Sequence, residues 1–122
     1  MNIPITYEDK IQSGIERIED SASELQADDI RTLDVSESCA FADYFIIMTA
    51  NSPRHKRAIS DGIESQMKQL GLPLHHREGD HNSGWSLLDY GDLVVHLFAG
   101  EYREYYSLEE AWPEAEVVNF IQ

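Results

Sequence analysis

The sequence predicts a single α/β domain built on one mixed β-sheet that is flanked by helices. Two segments, one near the N-terminus and one in the middle of the chain, repeat apolar residues at spacings of three and four, which is typical of amphipathic helices. Two other segments, residues 44–49 and 93–98, are almost continuously apolar and favour strands buried on both faces of a sheet. The length of 122 residues is enough for one hydrophobic core.

The first helix is predicted over residues 6–26, and its apolar stripe faces the core. The stripe consists of Ile11, Ile15, Ile18, Ala22 and Leu25. Thr6 and Asp9 resemble a capping pair at its start. Two strands are expected next, over residues 30–35 and 44–49, with a loop between them.

The second helix is predicted to begin at Ser52 and Pro53. Serine can cap the open backbone N–H groups, and proline already has the φ angle of the first helical position. The helix is expected to end before Gly71, where a glycine favours helix termination. Because this helix lies between two predicted strands, it suggests a right-handed crossover.

The rest of the chain predicts an edge strand, a hairpin and a short helix. These elements are expected over residues 74–78, 85–89, 93–98 and 101–111. The hairpin strands are expected to be antiparallel, because only a short turn joins them. Residues 114–122 are expected to form either a last strand or a loosely packed arm. The predicted domain covers residues 1–112, and residues 113–122 form a short C-terminal tail.

Charge and composition exclude several classes of function. Nine basic and 23 acidic residues give a formal net charge of −14, which repels phosphate backbones and anionic lipid. We therefore expect no membrane binding and no autonomous nucleic-acid binding, and a basic protein partner is favoured. The absence of a signal or transit segment and the single cysteine, Cys39, suit the cytoplasm. Cys39 is expected to be a packing residue rather than a nucleophile.

The sequence predicts no metal, no cofactor and no catalytic residue. His75 and His76 are adjacent, so that on a strand they point to opposite faces. His96 lies in an apolar strand and is expected to be a core histidine held by a hydrogen bond rather than a catalytic base. The candidate carboxylates lack the paired spacing with which nucleotidyltransferases hold metal ions. They are Asp34, Asp43, Asp89 and Asp92.

Two clusters are candidate binding surfaces. Residues 54–57 hold three of the nine basic residues at the start of the second helix. They predict either a site for an anion or an acidic partner, or a solvated face on which Arg57 pairs with Asp61. Aromatic residues, which are enriched at binding hot spots, are concentrated in the last third of the chain. Of these, Trp85 and Tyr90 are expected to be exposed, because one follows a polar loop and the other lies in a turn.

Two segments together resemble a known family. The first runs from Ala42 to Thr49 and continues with Ser52, Arg54, His55, Ala58 and Ile59. The second runs from Trp85 to Phe98 and continues with residues 103–110 and Trp112. With residues 33–35 as a first strand, they resemble the ribosomal silencing factor family, also called the Iojap family. The resemblance covers about Tyr7 to Trp112 in order.

The resemblance implies a mixed sheet flanked by helices, similar to nucleotidyltransferases but without their catalytic motif. It implies a translation repressor that binds the large ribosomal subunit through ribosomal protein L-fourteen. Bound there, it would block joining of the small subunit sterically and reduce translation under nutrient limitation. At matched positions the resemblance implies a partner-binding surface. That surface consists of Trp85, Asp89, Tyr90, Arg103 and Tyr106.

One further expectation concerns the oligomeric state, and two other hypotheses concern the function. A homodimer of the free protein is compatible with an exposed aromatic face, since such a face tends to find a partner. An alternative from another class is a nucleotidyltransferase-like enzyme that uses Asp34, Asp43 or Asp92 with magnesium. A third hypothesis is a small regulatory module with an unrelated protein target, which a pull-down without ribosomal proteins would indicate.

Overall fold

The computed structural model describes residues 6–80, 82–100 and 116–121. In chain order the described elements are α1 (Tyr7–Glu24), β1 (Asp28–Asp34), β2 (Tyr44–Ala50), α2 (Pro53–Gln69), β3 (His76–Glu78), β4 (Trp85–Asp89), β5 (Leu93–Ala99) and β6 (Glu116–Ile121). The strands form one sheet in the order β3-β4-β5-β2-β1-β6. The predicted class, a mixed sheet with helices against it, is therefore confirmed. The helix expected over residues 101–111 lies outside the described residues.

The first helix begins where the sequence predicts. The backbone N–H of Asp9 donates to Thr6 Oγ1 at 3.1 Å, so Thr6 satisfies one of the open donors of the first turn. The helix ends at Glu24, two residues before the predicted end. Gln26 adopts a left-handed φ of 62°, which turns the chain away from the helix axis.

The second helix also follows its capping signals. Ser52 Oγ accepts from the backbone N–H of His55 at 3.0 Å, and Pro53 is the first helical residue. Gly71 ends this segment with a φ of 73°, a conformation that glycine adopts at little cost. In the part of the chain that the structure describes, neither helix is long and apolar enough to cross a membrane.

The sheet combines one parallel pair with antiparallel neighbours. The central strands β2 and β5 pair in parallel, and α2 lies between them in the chain. The hairpin of β4 and β5 is antiparallel, as predicted. At one edge, β3 pairs with β4 and exposes all three of its residues. At the other edge, β6 pairs with β1, which confirms the strand alternative for residues 116–121.

The sheet separates two hydrophobic clusters. One lies under the helices, where Ile46 and Val95 of the central strands meet Ile18 and Ile63. The smaller one lies on the opposite face, and none of its described members belongs to a helix. It consists of Leu33, Val35, Cys39, Ala42, Phe45, Ile47, Val94 and Phe98. The burial of Cys39 in this cluster matches its predicted packing role.

A polar network around the buried Glu19 joins the first helix to the far edge of the sheet. The carboxylate oxygen Oε2 of Glu19 on α1 accepts from the hydroxyl of Thr32 on β1 at 2.7 Å. The same oxygen accepts from the side-chain amide of Asn119 on β6 at 2.9 Å. Glu19 and Thr32 are both buried, so these bonds replace the water that the carboxylate loses on folding.

We expect Thr32→Val to lower the free energy of unfolding by about 1.5–3 kcal/mol, because it removes a hydrogen bond to a buried charged acceptor while keeping the side-chain shape. Urea denaturation followed by circular dichroism measures the change. Thr32→Ser is the matched control, since it keeps the hydroxyl and loses only a methyl group. Equal destabilisation by the two substitutions would show that the hydrogen bond contributes little.

Candidate interaction surface

One face of the sheet carries no helix among the described residues. Side chains alternate across β4, so Trp85, Leu87 and Asp89 point to this face, while Ser86 and Leu88 point toward α2. We call it the open face. Its residues line a shallow cavity of about 260 Å³. They are Phe41, Phe45, His76, Glu78, Trp85, Leu87, Asp89, Val94 and His96.

Trp85 is half-buried and fixed in place on the open face. Its indole Nε1–H donates to His96 Nδ1 at 3.2 Å. The indole also stacks on Phe98, with ring centroids 5.8 Å apart and an interplanar angle of 12°. An aromatic side chain held in this way loses little further conformational entropy when a partner covers it. The prediction that Trp85 is exposed therefore holds in part, since part of the ring also serves the packing of the sheet.

His96 fixes the orientation of Trp85 by accepting its indole hydrogen bond. Because its Nδ1 accepts from the indole, the ring proton lies on Nε2, for which the described residues offer no hydrogen-bond partner. The ring also makes an edge contact with Phe45, at 4.7 Å between centroids. His96 is only 5% exposed, and burial lowers its pKa to about 3. The predicted core histidine is therefore confirmed, and it stays neutral at physiological pH.

Phe41 makes the open face more apolar than the sequence suggested. It lies in the loop between β1 and β2, is 65% exposed, and contacts Phe45 at a centroid distance of 6.0 Å. Phe41 was not among the predicted binding residues. The available signal was a large aromatic in a loop of otherwise small or polar residues. Phe41 and Trp85 thus bracket an apolar patch.

The rim of this patch is polar. Asp89 Oδ1 accepts from the backbone N–H of Gly91 at 2.8 Å and so stabilises the turn between β4 and β5. His76 Nε2 lies 3.0 Å from a carboxylate oxygen of Glu78 on the edge strand β3. An apolar centre with a polar rim is the usual anatomy of a protein–protein interface. The carboxylates of Glu78 and Asp89 make the rim acidic.

Tyr90 is a correction to the predicted surface. It was expected to be exposed, but it is 2% exposed and packs in the cluster under the helices. The alternation of β4 continues through the following residue, so the neighbour of Asp89 points to the opposite face. Burial raises the pKa of the Tyr90 hydroxyl to about 12, and the hydroxyl has no partner within the described residues. Arg103 and Tyr106 lie outside those residues.

The basic cluster at residues 54–57 does not form one continuous surface. His55 Nδ1 accepts from the backbone N–H of Asn51 at 2.9 Å, and its Nε2–H donates to a backbone carbonyl after α1. Lys56 is buried, whereas Arg57 is exposed and approaches Asp61 to 4.0 Å. The predicted contact between Arg57 and Asp61 is present, but an exposed pair at this distance contributes little stability.

The carboxylates of the enzyme alternative lie near one end of the central strands. The backbone N–H of Asp43 donates to the carbonyl oxygen of Asp92 at 2.8 Å. Asp34 Oδ1 accepts from the hydroxyl of Ser36 at 2.6 Å, and this hydrogen bond lowers the pKa of Asp34. Among the described residues, no group of three or more histidine, cysteine, aspartate or glutamate side chains is arranged to hold a metal ion.

Comparison with known proteins identifies the family. A sequence model described as "Ribosomal silencing factor during starvation" matches residues 8–122. The chain belongs to the ribosomal silencing factor family. It is 39% identical over 90 residues to ribosomal silencing factor RsfS of Bacillus subtilis, covering 74% of this chain and 76% of that protein. It is also 40% identical over 98 residues to the chloroplastic protein Iojap of Zea mays, covering 78% of this chain and 41% of that protein.

Solved structures agree with the family assignment. A crystal structure of a protein from Chromobacterium violaceum superposes with a TM-score of 0.78 at 30% sequence identity, covering 84% of this chain and 86% of that one. A second, from Bacillus halodurans, has a TM-score of 0.74 at 25% identity and covers 91% of this chain and 98% of that one. The fold that the family resemblance implied is therefore confirmed. The family match also continues past Trp112 and includes β6.

We expect His96 to make the fold sensitive to mild acid. Its pKa is about 3 in the folded protein and about 6.5 when unfolded, so the unfolded chain binds the extra proton and stability falls as the pH drops below about 6.5. Between pH 7 and pH 5 the free energy of unfolding should fall by about 2 kcal/mol. Urea denaturation at the two pH values measures it. In His96→Phe the difference between the free energies of unfolding at pH 7 and pH 5 should shrink by about 2 kcal/mol. An unchanged difference would show that His96 does not cause the sensitivity to acid.

Proposed function

We propose that this protein represses translation by binding the large ribosomal subunit through ribosomal protein L-fourteen and preventing the small subunit from joining. Family membership supports a regulator directed at the ribosome, since the family is described as silencing factors that act during starvation. The observation that carries the proposal is the open face, an aromatic surface that the described helices leave uncovered. The action is placed in the cytoplasm, where free subunits meet.

The open face has the physical properties of a binding hot spot. Binding energy in protein complexes is concentrated in a few desolvated anchors, among which tryptophan is enriched. Trp85 is held by His96 and Phe98, so its orientation is set before the partner arrives. Phe41 and Leu87 supply adjacent apolar area that excludes water around the anchor. Arg103 and Tyr106 remain proposed members of this surface, whereas Tyr90 is buried and is removed from it.

The charge distribution favours a basic protein partner over RNA. The chain carries a net charge of −14, and Glu78 and Asp89 lie at the rim of the open face. A field of this sign speeds the encounter with a basic protein surface and opposes contact with phosphate backbones. Binding through such a rim should weaken as salt rises, because rim charges are screened by solvent ions.

Repression of this kind needs no bond chemistry. A bound domain occupies volume at the contact face of the large subunit, so the small subunit and this protein exclude each other. The extent of repression is then set by the protein concentration relative to its dissociation constant. We also propose that the free protein forms a homodimer through the open face. This homodimer would compete with binding to the ribosome.

Phe41→Ala is the sharpest test of the open face. The residue is largely exposed, so its truncation should leave the melting temperature nearly unchanged while it weakens binding to isolated large subunits by about tenfold, equivalent to about 1.4 kcal/mol. Co-sedimentation over a protein titration measures the affinity. Trp85→Ala should weaken binding more but also lower the melting temperature, because the ring packs on Phe98.

Two further variants serve as controls. One tests whether a substitution away from the open face leaves binding unchanged, and the other tests the contribution of the rim charge. Asp61→Ala removes an exposed carboxylate on α2, which packs on the other face, and should bind like the unsubstituted protein. Asp89→Asn keeps an oxygen that can accept from Gly91 but removes the rim charge, so its affinity should lose part of its salt dependence. Unchanged binding by Phe41→Ala and Trp85→Ala together would show that the open face does not contact the subunit.

We expect the protein to prevent association of purified subunits in proportion to its occupancy of the large one. Light scattering after mixing the two subunits should fall to the level of unassociated particles as protein is added, and Phe41→Ala should need about tenfold more. Adding protein to preformed ribosomes should have a smaller effect, since its site is then covered. Binding without any loss of association would contradict the steric mechanism. Metal-dependent nucleotide turnover that Asp43→Asn abolishes would instead favour the enzyme alternative.

A further inference from the structure

A second cavity lies on the opposite side of the sheet, between α2 and the strands β3 and β4. Its volume is about 340 Å³. Three basic side chains line it, from Lys56 and Arg57 on α2 and Arg77 on β3, together with the hydroxyl residues Ser60 and Ser86. The cavity therefore gathers three of the nine basic residues of a strongly acidic chain. Neither the family match nor the open face accounts for this concentration.

Lys56 is the central feature of the cavity. Its side chain is 2% exposed, and its ammonium Nζ donates to the backbone carbonyl oxygen of Ser83 at 2.5 Å. An ammonium has three N–H donors, so two remain after this bond. Among the described residues, no carboxylate lies within 4.0 Å of it, although Asp80 attracts it from farther away. Burial lowers the pKa of Lys56 to about 8, and the negative charge of Asp80 offsets only part of this effect.

The other two basic residues are paired but keep donors. The guanidinium of Arg77 pairs with the carboxylate of Glu64, and that of Arg57 approaches Asp61 to 4.0 Å. A guanidinium has five N–H donors, so each retains several after one contact. It can bind phosphate through two of them at once.

Asp80, the acidic group that acts on Lys56, has other hydrogen-bond partners. Asp80 Oδ1 accepts from the backbone N–H of Asn82 at 2.8 Å and from the hydroxyl of Ser83 at 3.3 Å, which stabilises the loop before β4. The carboxylate of Asp61 faces Arg57. The donors available to a ligand are therefore two on the Lys56 ammonium, those of the arginines and the two serine hydroxyls, while the carboxylates of Asp61 and Asp80 also line the cavity.

We propose that this cavity binds a small phosphate-bearing anion, with Lys56 as the buried charge partner and Arg57, Arg77, Ser60 and Ser86 as further donors. The anion would supply the compensating charge that no described carboxylate supplies within 4.0 Å of Lys56. The volume admits a pyrophosphate group and a small attached moiety. The site lies on the other side of the sheet from the open face and does not depend on the proposed function.

The test is a titration of the full-length, ¹⁵N-labelled protein with inorganic pyrophosphate at constant ionic strength, followed by amide chemical shifts. Saturable shifts are expected at the amides of Lys56, Ser60 and Ser86. Lys56→Met should raise the midpoint about tenfold or more, since it removes the buried charge partner. Lys68→Met, which removes an exposed lysine from the same helix, should leave the midpoint unchanged.

Three results would overturn the proposal: shifts that grow linearly without saturation, shifts spread over all basic residues, or an unchanged midpoint in Lys56→Met. If circular dichroism shows that Lys56→Met does not fold, the double variant Ser60→Ala, Ser86→Ala replaces it. That variant removes two donors while keeping the buried charge and should raise the midpoint severalfold. An unchanged midpoint there would equally refute the site.

Discussion

The parallel pairing of β2 with β5 is the constraint on which the rest of the structure depends. Apart from Tyr44 and Ala99, the residues of both strands are buried, so the sheet needs apolar cover on both faces. A parallel pair also needs a crossover connection, and α2 provides it. Both described helices lie on one face, and the described residues of the other face form a smaller cluster, with Phe41 and Trp85 at its margin. Among the described elements, the open face is thus a consequence of the topology.

Elements whose signals are local could be predicted from the sequence. Ser52 and Pro53 mark the start of α2 by capping chemistry, and the hairpin of β4 and β5 follows from two apolar runs with a short turn. Tyr90 could not be placed by local signals, because its position in a turn predicts exposure. The side chain is instead oriented by the alternation of the preceding strand, which puts it opposite Asp89.

The buried charges show a second limit of local reasoning. Lys56 lies three residues before Ile59 and seven before Ile63, so helical periodicity places it on the buried stripe of α2. The burial of Lys56 is missed when residues 54–57 are treated as one basic cluster, since only Lys56 among them lies on the stripe. Glu19 on α1 is likewise buried, but Thr32 and Asn119 supply two donors to a single carboxylate oxygen. Lys56 has one neutral acceptor within the described residues. The buried charge of Lys56 therefore has fewer hydrogen-bond partners than that of Glu19.

The two candidate surfaces share one loop. The carbonyl that receives the Lys56 ammonium belongs to Ser83, two residues before Trp85. Gly79, at the start of the same loop, has a φ of 72°, and a Cβ there would lie 2.6 Å from the carbonyl oxygen of Trp85. The loop is therefore held at both ends, by a buried charge and by close backbone packing. A ligand at Lys56 can change binding at Trp85 only if it prefers one of two arrangements of this loop, because coupling requires a difference in affinity between states. Since Ser83 and Gly79 are both held in this way, two independent sites are favoured over a coupled pair.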